Sequence, residues 1–338
     1  MKKIQFTTRI VIILLIVLQI AGCGEPKTDS YKRDFFAMDT YITCQVLTAD
    51  KALAESGLNR VEEAFMEIDR LTNRFEKESD VYAVNEKAGN GPVKVSEDVY
   101  AIIETALEWS DRTDGTFNIL IGGVMNLWGF GTEKPTVPLA ADVAAALSRT
   151  DYHKIVLDAE QSTIFLPERG MVLDFGGVAK GYATDKAVAA LRELGIENAL
   201  INAGGNVYTM GTRADGTPWK VGVQDPRNPK GIAALLKGSD VALVSSGDYQ
   251  RYFEVNGTRY HHILDPASGQ PARASAGITV IMKSATVADI LSTALFVKGP
   301  TEGISLAEKI PQVEAVMILT KDGGVYGTKS LSGYLAEQ

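Results

Sequence analysis

The residues that could carry chemistry fall in a few short segments. The first is Asp174-Phe175-Gly176-Gly177-Val178-Ala179-Lys180-Gly181. An apolar run, Met171 to Leu173, precedes it and reads as a short buried strand, and Lys180 to Gly195 reads as a helix. Glycines let backbone approach a ligand closely, and a helix N-terminus points free N–H groups at anions. The segment suits the diphosphate of a nucleotide. It is neither a Walker A loop nor a GxGxxG fingerprint, and a plain strand-to-helix turn would use the same glycines.

The second segment is the helical stretch Ala285 to Lys298. Asp289 and Thr293 stand four residues apart and share a helix face, with Ser292 beside them. A carboxylate and a hydroxyl so placed offer a hard cation two oxygen ligands. Mg²⁺ suits such a site, because it takes few protein ligands and fills the rest with water and phosphate oxygens. Local capping, with Thr293 bonded back to the Asp289 carbonyl, is the competing reading.

The third segment, Tyr260-His261-His262-Ile263-Leu264-Asp265-Pro266, holds two of the three histidines. Neighbours on a strand face opposite sides, so only one of the pair can enter a given site. A histidine near neutral pH can take a proton from an attacking hydroxyl. Zinc is a poor fit for adjacent histidines with no Cys-His set nearby. Ser245-Ser246-Gly247-Asp248-Tyr249 lacks the GxSxG context of a serine hydrolase but could donate hydrogen bonds to a ligand. Asn202-Ala203-Gly204-Gly205-Asn206 reads as a glycine turn between strands.

The elements that must hold these segments are irregularly mixed. Tyr41 to Leu47 reads as a strand and Lys51 to Leu71 as an amphipathic helix, with Leu58, Val61, Phe65, Ile68 and Leu71 on one face. Ser96 is placed to cap a second helix, and Ala140 to Leu147 reads as a short one. Asp111 to Gly131 is a loop rich in glycine and aromatics. Strands are expected at Lys154–Leu157, Ala199–Ile201, Lys220–Gln224, Ala242–Ser245, Gly277–Ile281 and Ala315–Leu319. Thr301 to Lys309 reads as a helix. The absence of a regular βαβ rhythm favours an α+β fold over a doubly wound sheet.

The N-terminus reads as a leader rather than as part of the fold. Lys2, Lys3 and Arg9 precede the apolar run Ile10 to Leu18, too short to span a bilayer, and Ile20-Ala21-Gly22-Cys23 follows. The small residues before Cys23 resemble a bacterial lipobox, which implies cleavage there and a diacylglycerol thioether on the Cys23 sulfur. The expected organisation is a signal peptide over 1–22, a tether over 23–33 and one domain over 34–338. The mature chain is then exported and lipid-anchored at the outer face of a bacterial membrane. The formal charge is −8, and loss of the leader removes only bases, so nucleic acid is a disfavoured partner. Cys44 is the one other cysteine and reads as a core residue.

Taken in order, Met38-Asp39-Thr40, Thr116 to Gly131, Asp174 to Gly181, Gly204-Gly205, Ser245 to Tyr252, His262 to Pro266 and Ala288 to Leu295 resemble the ApbE family of FAD:protein FMN transferases. The resemblance implies one α+β domain of two lobes around a deep flavin-nucleotide cleft, with mixed or antiparallel sheets. It implies Mg²⁺-dependent transfer of FMN from FAD to a Ser or Thr hydroxyl of an acceptor redox protein, with release of AMP. By the same resemblance Asp289, Thr293 and the Gly177 backbone oxygen hold the metal. Met38, Thr116, Phe117, Asn118, Asp174 and Lys180 meet the flavin nucleotide, and the Leu264 backbone lies near the adenine. Phe75 stands where transferases carry an aromatic residue, and Ser292 where some relatives carry Asp, which bears on the number of metal ions. His262 is the expected base and Asp265 the residue expected to orient it or to shape the turn. A Mg²⁺-dependent FAD pyrophosphatase and a non-catalytic flavin-binding lipoprotein are the competing functions.

Overall fold

The computed structural model describes residues 28–337. The leader, Cys23 and the first residues of the expected tether lie outside the described residues. In chain order the elements begin with β1 (Asp29–Ala37), β2 (Thr40–Thr48), α1 (Lys51–Thr72), α2 (Asp80–Glu86), β3 (Val93–Lys94), α3 (Glu97–Arg112), α4 (Gly122–Trp128) and α5 (Ala140–Leu147). Next come β4 (Val156–Asp158), β5 (Thr163–Phe165), α6 (Ala179–Glu193), β6 (Asn198–Ala203), β7 (Asn206–Met210), β8 (Trp219–Gln224), β9 (Ile232–Gly238) and β10 (Val241–Gly247). The last are β11 (Tyr252–Val255), β12 (Thr258–His261), β13 (Gly277–Met282), α7 (Ala285–Ala307), β14 (Val313–Leu319) and β15 (Val325–Gly327).

Eight strands form one antiparallel sheet in the order β1-β2-β6-β7-β10-β13-β14-β15. Helices α1, α6 and α7 cover one face, burying Phe65, Ile68, Val188, Leu191, Leu291 and Leu295 against Ile42, Cys44, Ile201, Val244 and Val280. On the other face the β8–β9 ribbon packs Val223 and Leu236 over Leu243, Ile281 and Met317. A third cluster gathers Val124 and Trp128 of α4, Val143 of α5 and Leu264, with Phe253 and Tyr260 against it. Strand and helix segregate without βαβ repetition, which is the α+β architecture the sequence implies.

The caps explain where the helices begin. Asp50 accepts the N–H groups of Ala52 and Leu53 at the start of α1, and Ser79, Ser96 and Ser284 cap α2, α3 and α7. Helix α6 has no side-chain cap of its own. Gly299, at φ 77°, breaks α7 before Pro300, so the two helices expected over 285–309 are joined end to end.

Three expectations are corrected. Asp29 to Lys32, placed in the tether, are the first half of β1, paired in register with Thr48 to Gln45. The domain therefore starts before residue 34, because Tyr31 and Phe35 pack on the α1 face of the sheet. Met171 to Leu173 is not a strand; only Val172 bridges, to Ile121. The loop 111–131 contains α4, whose Trp128 is fully buried and donates its indole N–H to the Gly269 carbonyl at 2.9 Å.

Candidate active site

The site forms where α6 and α7 start beside the sheet, and a glycine sets the distance between them. A Cβ on Gly181 would stand 2.3 Å from the Ala285 carbonyl oxygen and 2.8 Å from the Asp289 Cβ. With only hydrogen there, the helices touch, and Asp289 Oδ2 accepts the Gly181 N–H at 3.0 Å. Asp289 thus supplies from α7 the cap that α6 lacks. Asp185, one turn further along α6, returns the contact. Its carboxylate accepts the Ala285 and Thr286 N–H groups and the Ser284 and Thr286 hydroxyls, at 2.7–2.9 Å. Sequence reading missed Asp185, whose partners lie on α7, distant in the chain.

The expected metal ligands and the phosphate-loop lysine come together. Lys180 Nζ lies 4.0 Å from Asp289 Oδ2 and donates to the Gly176 carbonyl at 3.1 Å. A Cβ on Gly177 would sit 3.0 Å from Thr293 Oγ1 and 3.1 Å from the Phe117 ring. Asp289 is 4% exposed. Burial pushes its carboxyl above the ordinary range, while the Lys180 ammonium and the Gly181 N–H pull it back. Beside it lies Asn206, whose side-chain nitrogen faces the Asp289 carboxylate and whose buried side-chain oxygen has no hydrogen-bond partner. An orphaned amide next to a buried carboxylate and a half-buried hydroxyl is an oxygen-rich cradle that fits a hard cation. Among the described residues no three His, Cys, Asp or Glu side chains cluster as a metal site. Ser292 is fully buried and shares a 2.8 Å hydrogen bond with Ser246, which ties α7 to β10.

The two histidines separate by tautomer. A carbonyl only accepts, so His261 donates through Nε2 to the Ala272 oxygen at 2.8 Å, and its Nδ1 accepts the Ile263 N–H at 3.3 Å. His261 is buried and fully satisfied. His262 donates through Nδ1 to the Arg251 carbonyl at 3.2 Å. Its Nε2 therefore carries the lone pair. Burial and the nearby Arg251, His261 and Lys180 push the His262 ring down to about 3, which keeps it neutral. Asp265 does not orient His262. Its Oδ1 accepts the Ala267 N–H at 3.0 Å and its Oδ2 the Ser268 hydroxyl at 2.7 Å, so it builds the turn, and the Arg251 carbonyl holds the ring instead.

The other residues singled out from the sequence lie as follows. Met38 and Asp39 form the two-residue turn of the β1–β2 hairpin, both at positive φ, and the Met38 N–H donates to Asp69 at 2.9 Å. That turn lies beside the Gly204-Gly205 turn, where a Cβ on Gly204 would strike Thr40 Oγ1 at 2.3 Å. Asp174 pairs with Arg74 at 2.9 Å and accepts the Gly176 N–H at 2.9 Å. Arg74, which sequence reading missed, also lies 4.4 Å over the Phe75 ring, and Phe75 is 71% exposed. Thr116 bonds to the Thr113 carbonyl, and Asn118 donates to Thr150 and accepts from Leu120. Phe117 is buried against Gly177, and Leu264 is buried beside Trp128 and Val143. Of these four, Phe117 is the one that touches the centre, at Gly177, while Leu264 belongs to the apolar cluster around Trp128.

Fold and site together define an α+β protein with a polar centre at paired helix starts, where Lys180, Asp289 and Thr293 come together. The chain belongs to the ApbE family: the family profile matches residues 38–317. It is 32% identical over 337 residues to an FAD:protein FMN transferase of Treponema pallidum, covering 94% of this chain and 92% of the relative. A second such transferase, from Klebsiella pneumoniae, is 35% identical over 290 residues, covering 85% and 89%. The crystal structure of an ApbE protein from Thermotoga maritima superposes with a TM-score of 0.85 at 31% identity, covering 91% of this chain and all of the other.

Proposed function

We propose that this protein is an FAD:protein FMN transferase, moving the FMN moiety of FAD onto a Ser or Thr hydroxyl of an acceptor redox protein and releasing AMP. One observation carries the reading: Lys180, the Gly176-Gly177 bend, Asp289 and Thr293 converge at the start of α6. The FAD diphosphate binds there, with its charge facing the Lys180 ammonium and the helix N-terminus. Asp289, Thr293 and the Gly177 carbonyl hold Mg²⁺, which when bound neutralises charge on the diphosphate oxygens. The acceptor hydroxyl oxygen attacks the FMN phosphorus, and its proton passes to His262 Nε2. The bond from that phosphorus to the bridging oxygen breaks, and AMP leaves with the electron pair. Positioning by rigid helix starts supplies most of the acceleration. Met38, the Thr116–Asn118 turn, Phe75 and Asp174 line the flavin side, and the Leu264 backbone the adenine side. The mature chain works outside the cytoplasm, anchored through lipid on Cys23.

The test is mass spectrometry of a Ser/Thr-bearing acceptor domain after incubation with the protein, FAD and Mg²⁺. Transfer adds one FMN mass to the acceptor. Free FMN and AMP with an unmodified acceptor would identify a pyrophosphatase instead. Asp289→Asn is expected to lower transfer by about 10²-fold or more and to weaken the response to Mg²⁺.

A further inference from the structure

On the sheet side of the candidate site, one buried side chain carries an acceptor with nothing to accept. Asn206 opens β7, directly after the Gly204-Gly205 turn, and is 1% exposed. It pairs with Ala203 of β6 and Val244 of β10, both apolar and fully buried. Side chains alternate along a strand, so Asn206 shares the helix-covered face of the sheet with Tyr208 and Met210. Strand β7 packs there against α6 and α7. An apolar residue would suit that setting, and a buried amide in it calls for partners.

The Asn206 Nδ2 faces the Asp289 carboxylate. A carboxylate only accepts, so the nitrogen is the atom turned to it, and the oxygen of the same planar amide is held close by. Among the described residues no group donates to that oxygen. The donors around Asp289 have other acceptors. The Gly181 N–H goes to Asp289 Oδ2 at 3.0 Å, and Lys180 to the Gly176 carbonyl at 3.1 Å. Ser292 gives its proton to the Asp289 carbonyl at 2.8 Å, so Ser246 is the donor in the 2.8 Å bond to Ser292.

We propose that Asn206 is a positioning residue for a divalent cation held at Asp289. This deepens the Mg²⁺ part of the proposed function and rests on it. The Nδ2 group fixes the Asp289 carboxylate together with the Gly181 N–H, and Oδ1 accepts a hydrogen bond from a water on the ion. Mg²⁺ keeps several waters when protein binds it, and the groups that hydrogen-bond to its ligands set its affinity. A donor alone would fix the carboxylate. A side chain with donor and acceptor together suits a carboxylate and a hydrated cation side by side.

The experiment titrates the full chain with Mn²⁺, which takes the same oxygen ligands, and reads the free ion by electron paramagnetic resonance. Melting temperatures are recorded with and without the ion, and Asp289→Asn serves as the variant lacking the site. Asn206→Ala is expected to raise the Mn²⁺ Kd about 10- to 100-fold. Asn206→Asp keeps an oxygen and adds a like charge beside Asp289. Its melting temperature should fall without the ion and recover when Mn²⁺ is added. A peg that only ties β7 to α7 would lower the melting temperature of both variants and leave the Kd of Asn206→Ala at the wild-type value. That result overturns the proposal and leaves the cation at Asp289 standing. If Asn206→Ala does not fold, Asn206→Asp decides, and a melting temperature that Mn²⁺ does not restore overturns the proposal. A folded wild-type chain that binds Mn²⁺ no better than Asp289→Asn sinks the cation reading as well.

Discussion

At the residue scale, the clearest lesson is the division of labour between His261 and His262. Alternation along a strand says that they face opposite sides, and it does not say which one works. The proposed assignment of the base rests on their acceptors. His261 has both ring nitrogens engaged, whereas His262 keeps Nε2 free. A ring pushed down to about 3 is neutral throughout the physiological range. Protonation would disable it only as pH falls toward that value, so the acid limb of kcat/KM for transfer should lie below about pH 5, not near the usual imidazole value of about 6.5. A pH profile checks this. His262→Gln should cost about 10²- to 10⁴-fold in transfer and leave FAD affinity nearly unchanged. Asp265 shows the limit of the same reasoning, since an acid three residues from a histidine resembles a catalytic partner until its carboxylate is found closing a turn.

At the element scale, the site depends on two helices that finish each other. Asp289 of α7 caps α6, and Asp185 of α6 caps α7. Gly181→Ala would drive a methyl into backbone at Ala285, where nothing flexible can yield. The expected result is a loss of about 1–3 kcal/mol in stability, read by denaturant unfolding, with a larger fall in transfer as Lys180 moves off Asp289. Asp185→Asn should cost about 1–2 kcal/mol by weakening four hydrogen bonds at the α7 start, without touching ligand. Much of this was legible in the sequence. The spacing of Asp289 and Thr293 gave their shared face, and the glycine loop before α6 announced a helix start. Asp185 and Asn206 were not legible, because their roles arise from pairing between segments distant in the chain, which no local pattern encodes. The helix α4 was hidden for a related reason. Its glycines argue against helix, and burial of Val124 and Trp128 overrides them.

At the scale of the whole molecule, the course of the first strand relates the site to the proposed anchor. Five residues separate Cys23 from Asp29. However arranged, that chain reaches at most about 20 Å. Strand β1 then runs its nine residues, about 30 Å, to the Met38-Asp39 turn. The proposed anchor would therefore join the sheet at the Asp29 end of β1, the end away from the Met38-Asp39 turn. Of the two cysteines, Cys23 is the one proposed to carry lipid. Cys44 is fully buried in β2, and burial pushes its thiol up to about 12, so it is not a nucleophile. Cys23→Ser should therefore abolish incorporation of labelled palmitate and move the protein from the membrane to the soluble fraction. Transfer to a soluble acceptor domain should persist, because nothing in the centre around Asp289 depends on the anchor. Labelled palmitate retained by the Cys23→Ser protein would place the lipid elsewhere and undo this arrangement.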